Sequence, residues 1–189
     1  MKRNQTEPGK TKSERTRRAI KSAFFELYQT TDITRISVRD VSERAGCGRS
    51  TFYLHFHDVY EVLDELEKEQ LAWVRRTLTD SGALADPHQT VLPDLLIRLY
   101  EEKGEVLYCF VNRDPKFRQK VKELLTESGS LLFPFVPDWK RDAAKEIGFA
   151  AVIAGLNFWY ENRDRITPEE FVPFLRERLY YGIPECGGR

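Results

Sequence analysis

The chain has 189 residues, of which 41% are hydrophobic and 32% are charged, with 30 basic and 30 acidic side chains. This length suffices for one or two small domains with a buried core, and no apolar run reaches the roughly 18 residues of a membrane span, so we expect a soluble protein without a membrane partner. Three cysteines without metal-like spacing, and an N-terminus unlike a signal peptide, predict a cytoplasmic protein with no metal site.

The charge is unevenly distributed along the chain. Residues 1–57 carry 12 basic and 6 acidic side chains, whereas the remainder carries 18 basic and 24 acidic ones. A basic N-terminal part suits contact with phosphates, and an acidic remainder is repelled by DNA. Residues 1–12 are expected to be a flexible basic arm, which either has no role or adds phosphate or minor-groove contacts.

A first helix is predicted from Ser13 to about Tyr28. Apolar side chains recur there at helical spacing, at Ile20, Ala23, Phe24, Leu27 and Tyr28. The first turn of this helix presents three arginines, Arg15, Arg17 and Arg18. We expect the helix to brace the elements that follow.

Residues 37–56 are the stretch around which the chain is organised, and they predict two short helices joined by a tight turn. Ser37 is expected to cap the first helix, while Asp40 reaches back as in a capping box. The inner face of this helix carries Val38, Val41 and Ala45. The segment Gly46-Cys47-Gly48 then ends it, because glycine tolerates positive φ.

The second helix of this hairpin is expected to begin at Arg49, with Phe52 and Phe56 one turn apart on its buried side. The outward side chains are Arg49, Ser50, Tyr53 and Leu54. A basic, hydroxyl-rich outer face is typical of a helix that recognises base edges in DNA. The alternative is a hairpin in an ordinary core, since this geometry also occurs in proteins that do not bind DNA.

The middle of the chain predicts further helices. Asp58 and Glu61 give a second capping-box signature before a long helix that ends near 81–82 and is lined by Leu63, Leu66, Leu71 and Val74. Two more helices are expected over 91–107, with a break at 103–104 as an alternative, and over 115–128. Their inner stripes are Leu95, Leu96, Leu99 and Tyr100 in one helix and Phe117, Val121, Leu124 and Leu125 in the other. The apolar segment 131–137 has two prolines and predicts a buried connection.

Two helices are predicted in the last third. The first spans about 138–162 and carries small residues on one stripe, at Ala144, Gly148, Ala151 and Gly155, which allows another helix to approach closely. The second begins with Thr167 as N-cap, Pro168 and Glu170, ends at Gly182 and presents Phe171, Phe174, Leu175 and Leu179 on one face. These stripes pack either against a second subunit or within one chain.

The run from Ile36 to Leu63, including Ala45-Gly46, Thr51-Phe52-Tyr53 and His55-Phe56, resembles the DNA-binding domain of the TetR/AcrR family of bacterial transcriptional regulators. The resemblance extends back over 18–28, covers roughly the first 65 residues, and is nearest to a Firmicutes group with the similar stretch RSTFY.HF. It implies an all-α fold, with a three-helix helix-turn-helix DNA-binding domain over 13–57 and a C-terminal helical ligand-binding and dimerisation domain over 58–189.

The resemblance also implies which positions contact DNA. Arg49 is the candidate for a base edge, since a guanidinium can bond two acceptors of guanine. Three positions depart from the family pattern. Gly48 replaces the usual serine or threonine, and Val59 replaces the usual lysine. Leu54 replaces a frequent tyrosine, although a leucine can contact a thymine methyl. The DNA-binding candidates are Arg15, Ser37, Arg39, Gly48, Arg49, Ser50, Thr51, Tyr53, Leu54 and His55.

For the C-terminal domain, aromatic side chains provide apolar surface for a pocket, with core packing as the alternative for each. The pocket candidates are Trp73, Tyr100, Tyr108, Phe117, Phe149 and Trp159. In the family the last two helices pair with those of a second subunit in a four-helix bundle. The resulting candidates for a dimer interface are Ala144, Gly148, Ala151, Gly155, Phe171, Phe174 and Leu175.

The function that these patterns favour is a homodimeric, sequence-specific transcriptional regulator that binds a near-palindromic double-stranded DNA operator. A repressor released by a small-molecule effector is the first hypothesis, and an activator or co-activator whose C-terminal domain binds a protein is the second. An enzyme is disfavoured, because the sequence has no phosphate-binding glycine loop, nucleophile elbow or spaced metal ligands, and no cofactor is expected.

Overall fold

The computed structural model describes residues 11–80, 92–126 and 138–181. Over these residues the chain is entirely helical, without a β-strand, which confirms the predicted all-α class. The helices are α1 (Lys12–Tyr28), α2 (Val38–Arg44), α3 (Arg49–Tyr53), α4 (Val59–Asp80), α5 (Leu92–Arg113), α6 (Pro115–Thr126), α7 (Asp138–Glu161) and α8 (Pro168–Tyr181), with a 3-10 helix at Ile33–Arg35. None of the helices within these ranges is long and apolar enough to cross a membrane.

The chain divides into two compact units, one extending to Glu69 and the other beginning at Gln70, so the limit lies inside α4. The sequence analysis set its domain limit after residue 57, where the hairpin ends. A long helix that begins in one unit and continues into the next has no local signal for the position at which its partners change. The functional domain limits therefore stay a prediction.

In the N-terminal unit, α1 begins at Lys12, one residue before the predicted start. Its cap is Thr11, whose hydroxyl accepts the Glu14 backbone N–H at 3.2 Å while the Glu14 carboxylate accepts the Thr11 N–H at 2.7 Å. This reciprocal capping box has the T-x-x-E signature and lies at the border of the predicted flexible arm. Residues 1–10 of that arm lie outside the described residues.

The core of the N-terminal unit forms where α1 packs on α2 and α2 packs on α3. Ile20, Phe24 and Tyr28 of α1 are buried as predicted, and the rings of Phe24 and Tyr28 stack with their centroids 5.6 Å apart. From the hairpin, Phe52 and Phe56 enter the core, which confirms the inward face predicted for that segment. However, α3 ends at Tyr53, so Phe56 lies beyond the helix.

In the C-terminal unit, α5 packs against α6, α7 and α8. The predicted break in α5 is present, because Lys103 has non-helical angles of φ −140° and ψ 29°. The predicted end at residue 107 is wrong, since the helix continues to Arg113. Leu107, Phe110 and Val111 are all buried and keep the helical spacing of the inner stripe past the expected end.

Helix α6 follows at once, and Asp114 caps it by accepting the Phe117 backbone N–H at 3.1 Å. Its predicted inner stripe is confirmed, with buried side chains at Phe117, Val121, Leu124 and Leu125. The helix is described up to Thr126, so the end expected at residue 128 and the connection predicted over 131–137 lie outside the described residues.

Helices α7 and α8 pack against each other within this chain. A Cβ added to Gly155 would lie 2.7 Å from Leu175 Cδ1, so this glycine permits the close approach of α8. The cap of α8 is confirmed in part by the Glu170 carboxylate, which accepts the Thr167 N–H at 3.0 Å. The expectation that Phe174 shares the buried face is wrong, because its side chain is 52% exposed and Val172 is buried instead.

Candidate nucleic-acid interface

The turn between α2 and α3 has a defined geometry. Gly46 is in the left-handed region with φ +66°. Its N–H donates to the Glu43 carbonyl at 3.2 Å, and the Cys47 N–H donates to the Ser42 carbonyl at 3.0 Å, which is the Schellman pattern at a helix end. The predicted glycine turn is therefore confirmed, and Gly46 alone uses positive φ, since Gly48 has φ −78°.

The start of α2 is fixed by the predicted capping box. The Ser37 hydroxyl accepts the Asp40 N–H at 3.2 Å and donates its hydrogen to the Asp40 carboxylate at 2.6 Å. These hydrogen bonds from the side chain and backbone of Ser37 lower the pKa of Asp40. The hydroxyl hydrogen of Ser37 is thus committed to Asp40, so Ser37 donates to a phosphate only by giving up that bond.

Helix α3 presents most of the predicted reading positions to solvent. Arg49 and Ser50 are exposed, Tyr53 is 58% exposed and Leu54 is 83% exposed. Thr51 and His55 are half-buried, so only part of each side chain is accessible. Because Leu54 is exposed to this extent, its side chain contributes little to the core and is accessible to a ligand.

The arginines near this surface differ in how they are held. Arg39 donates to Glu43 at 2.8 Å, and Arg44 donates to Glu26 at 2.5 Å, both as exposed ion pairs. For Arg49, by contrast, no acceptor is found among the described residues of the N-terminal unit. Its five donors are therefore available to a ligand at the start of α3.

The start of α3 is itself open. Its N-cap is Gly48, and no side chain within the described ranges caps the helix. The first backbone N–H groups of a helix have no intrahelical partner and attract anions. The same glycine that departs from the family pattern thus leaves these groups open.

The sequence analysis did not identify the contact that holds α3 from behind. Arg17 of α1 donates to the His55 carbonyl at 2.7 Å, just after α3, and its guanidinium lies over the Phe56 ring at 4.3 Å from the centroid. The same guanidinium pairs with Glu65 of α4, with Nε 3.1 Å from Oε1. We call this arrangement of Arg17, His55, Phe56 and Glu65 the arginine clamp.

The contacts of the clamp change the pKa of Glu65. Partial burial would raise the pKa of Glu65, but hydrogen bonds from Arg17 and Lys21 outweigh it and lower the pKa. Lys21 lies 3.1 Å from Glu65 and also pairs with Glu69 at 2.5 Å. Two cations from α1 therefore hold one carboxylate of α4, and Arg17 links that carboxylate to the end of α3.

The aromatic candidates of the C-terminal unit are not gathered in one place. Tyr100 and Trp159 line a cavity of about 620 Å³, whereas Phe149 lines a different cavity of about 410 Å³. Phe117 is buried against Phe110, with ring centroids 5.2 Å apart, as a core residue.

Two further aromatic candidates have individual partners. The Tyr108 ring stacks on that of Tyr160, and its hydroxyl donates to Glu161. Lys103 lies over the Trp73 ring, with Nζ 4.7 Å from the centroid. The pairing with Lys103 places Trp73 beside the break in α5.

The candidates for a dimer interface also separate into two groups. Gly148, Phe171 and Leu175 are buried within the chain itself, and Gly155 contacts α8. Ala151 and Phe174 are exposed, and the side chain of Ala144 lies outside the description. Two exposed side chains that the sequence analysis did not name extend the apolar surface of α7, Ile147 at 69% and Phe158 at 53% exposure.

No protein-family model matches the sequence, and no curated protein matches it. Solved structures do match. The TetR transcriptional regulator from Streptococcus agalactiae is 22% identical, with 88% of this chain and 94% of that chain covered and a TM-score of 0.63. A second match is NalD, the secondary repressor of the MexAB-OprM multidrug efflux pump in Pseudomonas aeruginosa. It is 21% identical, with 92% of this chain and 98% of that chain covered and a TM-score of 0.65.

A third similar structure is the TetR-like regulator LfrR from Mycobacterium smegmatis in complex with proflavine. It is 20% identical, with 90% of this chain and 97% of that chain covered and a TM-score of 0.54. At these identities the likeness shows a shared fold. The chain has the all-α fold of TetR-type regulators, as the resemblance of its first 65 residues implied.

Proposed function

We propose that this chain, which has the fold of TetR-type transcriptional regulators, is a sequence-specific DNA-binding transcriptional repressor that acts as a homodimer and is released by a small molecule. The observation that carries the proposal is the exposed face of α3, where Arg49 is without an acceptor in the described unit behind a well-formed turn. This function requires neither catalysis nor a cofactor. Because its partner is the operator DNA, we infer a cytoplasmic location.

In the proposed complex α3 lies in the major groove. Arg49 bonds a guanine edge, and Leu54 contacts a thymine methyl. The phosphate backbone is contacted by side chains around this helix and by its open N-terminus. The residues proposed for these contacts are Arg15, Ser37, Arg39, Gly48, Ser50, Thr51, Tyr53 and His55.

We infer that the dimer forms through the exposed apolar stripe of α7 and the neighbouring part of α8. Ile147, Ala151 and Phe158 recur at spacings of four and seven, so they lie on one face of α7. Phe174 of α8 is close to this face, since the rings of Phe171 and Phe174 lie 6.0 Å apart and that of Phe171 lies 6.2 Å from Phe158. Exposed apolar side chains of this size favour burial against a second copy.

The DNA-binding proposal is tested by fluorescence anisotropy, with duplexes from the region flanking the gene and from genomic selection, at several salt concentrations. Replacing Arg49 by Ala should weaken binding to the selected duplex by about 10- to 100-fold, because a bidentate base contact contributes about 1–3 kcal/mol. The control is Arg35→Ala, which removes the same charge from an exposed position in the 3-10 helix. Because Arg49 is proposed to bond a base edge and Arg35 is not among the proposed contacts, neither variant should change the salt dependence appreciably, whereas only Arg49→Ala should abolish discrimination against scrambled DNA.

The opposite results would be equally clear. If wild-type protein binds selected and scrambled duplexes alike, the chain does not recognise a sequence, and the hypothesis of a protein-binding co-activator replaces the repressor. If discrimination persists in Arg49→Ala, another residue recognises the base.

The dimer proposal has its own measurement. Phe174→Ser should shift the sedimentation coefficient towards that of the monomer without a loss of helical circular dichroism, because this side chain contributes little to the monomer core. The matched control is Tyr60→Ser, which removes another large side chain that is 53% exposed, in this case at the start of α4. A Phe174→Ser protein that remains as dimeric as the wild type would refute the proposed interface.

A further inference from the structure

The largest cavity described above lies entirely within the C-terminal unit. Its volume of about 620 Å³ is within the range of about 300–1,000 Å³ that is usual for small-molecule sites. Its walls come from the part of α4 at Gln70, from the break in α5 around Lys103, and from the segments around Tyr160 and Asp164.

Two polar side chains in the wall of the cavity are buried without a partner. Gln70 and Tyr100 are 6% and 4% exposed, and neither the Gln70 carbonyl oxygen nor the Tyr100 hydroxyl has a hydrogen-bond partner among the described residues. An unsatisfied buried polar group costs about 1–3 kcal/mol, so a ligand that bonds these two groups would recover part of that cost. Because an amide oxygen only accepts, the ligand that satisfies Gln70 carries an N–H or O–H donor.

The charges around the cavity favour a cation. Four carboxylates line it, those of Glu101, Glu102, Glu105 and Asp164, against two cations, Lys103 and Arg163. Both cations already have partners, since Lys103 lies over the Trp73 ring and Arg163 donates to the Tyr160 carbonyl at 2.6 Å. With four carboxylates against two cations among the lining residues, the potential in the cavity is negative.

Tyr160 provides the aromatic surface. Its ring stacks on that of Tyr108 at 5.2 Å and meets that of Tyr100 edge-on at 6.0 Å. The Arg163 guanidinium lies over the Tyr160 ring, 4.2 Å from its centroid, so this ring already holds one planar cation. The ring lies so close to α5 that a Cβ at Gly104 would be 2.4 Å from it, which means that the glycine positions Tyr160 in the wall.

We propose that this cavity binds a planar organic cation that bears N–H donors, and that this class of molecule is the effector. The N–H group donates to Gln70, the ring system lies against Tyr160 in the place of Arg163, and the surrounding carboxylates balance the charge. The proposal rests on the proposed function in that it assigns a ligand class to the regulator, but binding to the cavity can be measured without DNA.

The test uses the full chain and proflavine, a planar cation with amino N–H donors, as a fluorescent probe. Saturable binding should be displaced by 1-methylquinolinium at least 10-fold more effectively than by 1-methylnaphthalene, which has the same shape and no charge. Gln70→Leu should weaken proflavine binding about 10-fold without lowering the thermal midpoint, because it removes an unsatisfied acceptor rather than a bonded one. Asp142→Asn on α7 is the control for Asp164→Asn, since it makes the same charge change away from the cavity.

Three results with these probes would overturn the proposal: no saturable binding of proflavine, equal displacement by the neutral ring, or stronger displacement by the anion 2-naphthoate. Equal effects of Asp164→Asn and Asp142→Asn on proflavine binding would also overturn it, because the negative charge at the cavity would then contribute no more than a charge elsewhere on the unit. The anisotropy of labelled operator DNA is measured on the same samples. A chain that binds the cation but no DNA would refute the proposed function and leave the cavity proposal intact.

Discussion

The arginine clamp gives the sharpest prediction about the N-terminal unit. Arg17→Met keeps a long apolar stem and removes the guanidinium that bonds Glu65 and the His55 carbonyl. The expected result is a less stable N-terminal unit with a loosened end of α3. DNA affinity should then fall even though Arg17 is not among the residues proposed to contact DNA.

The magnitude follows from the exposure of the partners. Hydrogen bonds to charged groups contribute about 1.5–3 kcal/mol when buried, and exposed ion pairs contribute about 0–1 kcal/mol. The Arg17 and Glu65 side chains are 37% and 25% exposed, so the pair lies between these limits. With the carbonyl bond and the contact with the Phe56 ring, we expect Arg17→Met to lower the free energy of unfolding by about 2 kcal/mol.

Urea denaturation of the wild type, Arg17→Met, Glu65→Gln and the double variant forms a cycle that isolates the ion pair. We expect a coupling of about 1 kcal/mol, and a coupling below about 0.3 kcal/mol would refute the reasoning. Arg15→Met is the control, since Arg15 is exposed on the same helix and its loss should change stability by less than about 0.5 kcal/mol.

The pH dependence provides an independent check on the clamp. The pKa of Glu65 is lower in the folded chain than its usual value of 4.5, so its contribution is fully present above that value. As the pH falls through the folded pKa, the carboxylate is protonated and the contribution is lost. The difference between wild type and Glu65→Gln should therefore shrink below pH 4.5, and a constant difference would contradict the assignment.

Other predictions concern single positions. Gly46→Ala should destabilise by about 1–2 kcal/mol in urea, because φ is +66°, whereas Gly48→Ser should stabilise by a few tenths of a kcal/mol by adding a cap. Gly155→Ala should lower the free energy of unfolding by about 1–3 kcal/mol, because its Cβ would meet a leucine of α8 at 2.7 Å. Burial raises the pKa of Cys109 to about 11, so peptide mapping after iodoacetamide treatment at pH 8 should find Cys47 alkylated before Cys109.

The parts of the structure that the sequence predicted depend on residues close together in the chain. The Ser37 cap and the Gly46 turn each involve hydrogen bonds between residues within about five positions of each other. Short sequence patterns are therefore sufficient to predict them, and the start of each helix of the hairpin was predicted to within a residue.

The parts that the sequence did not predict depend on distant partners. Arg17 and Glu65 are 48 positions apart, and no local pattern distinguishes Arg17 from the arginines beside it. Phe174 illustrates the same limit on α8. Helical spacing predicted an apolar face, but it did not predict which side chains of that face are buried in the core. For Gln70 a signal existed, since it lies four residues after Leu66 and four before Val74 in a buried stripe where a polar residue is unusual.

Helix α4 connects the two inferences of this structure. Glu65 in the arginine clamp and Gln70 in the cavity are five positions apart on one continuous helix, a rise of about 7.5 Å. A ligand that engages Gln70 can alter DNA binding only if it binds the two states of α4 with different affinity. Glu65 is held by Arg17, and Arg17 holds the His55 carbonyl, so a movement of Glu65 would act on the hydrogen bond at the end of α3. Under the proposed function, a ligand that displaces this part of α4 should therefore lose its effect on DNA affinity in Arg17→Met.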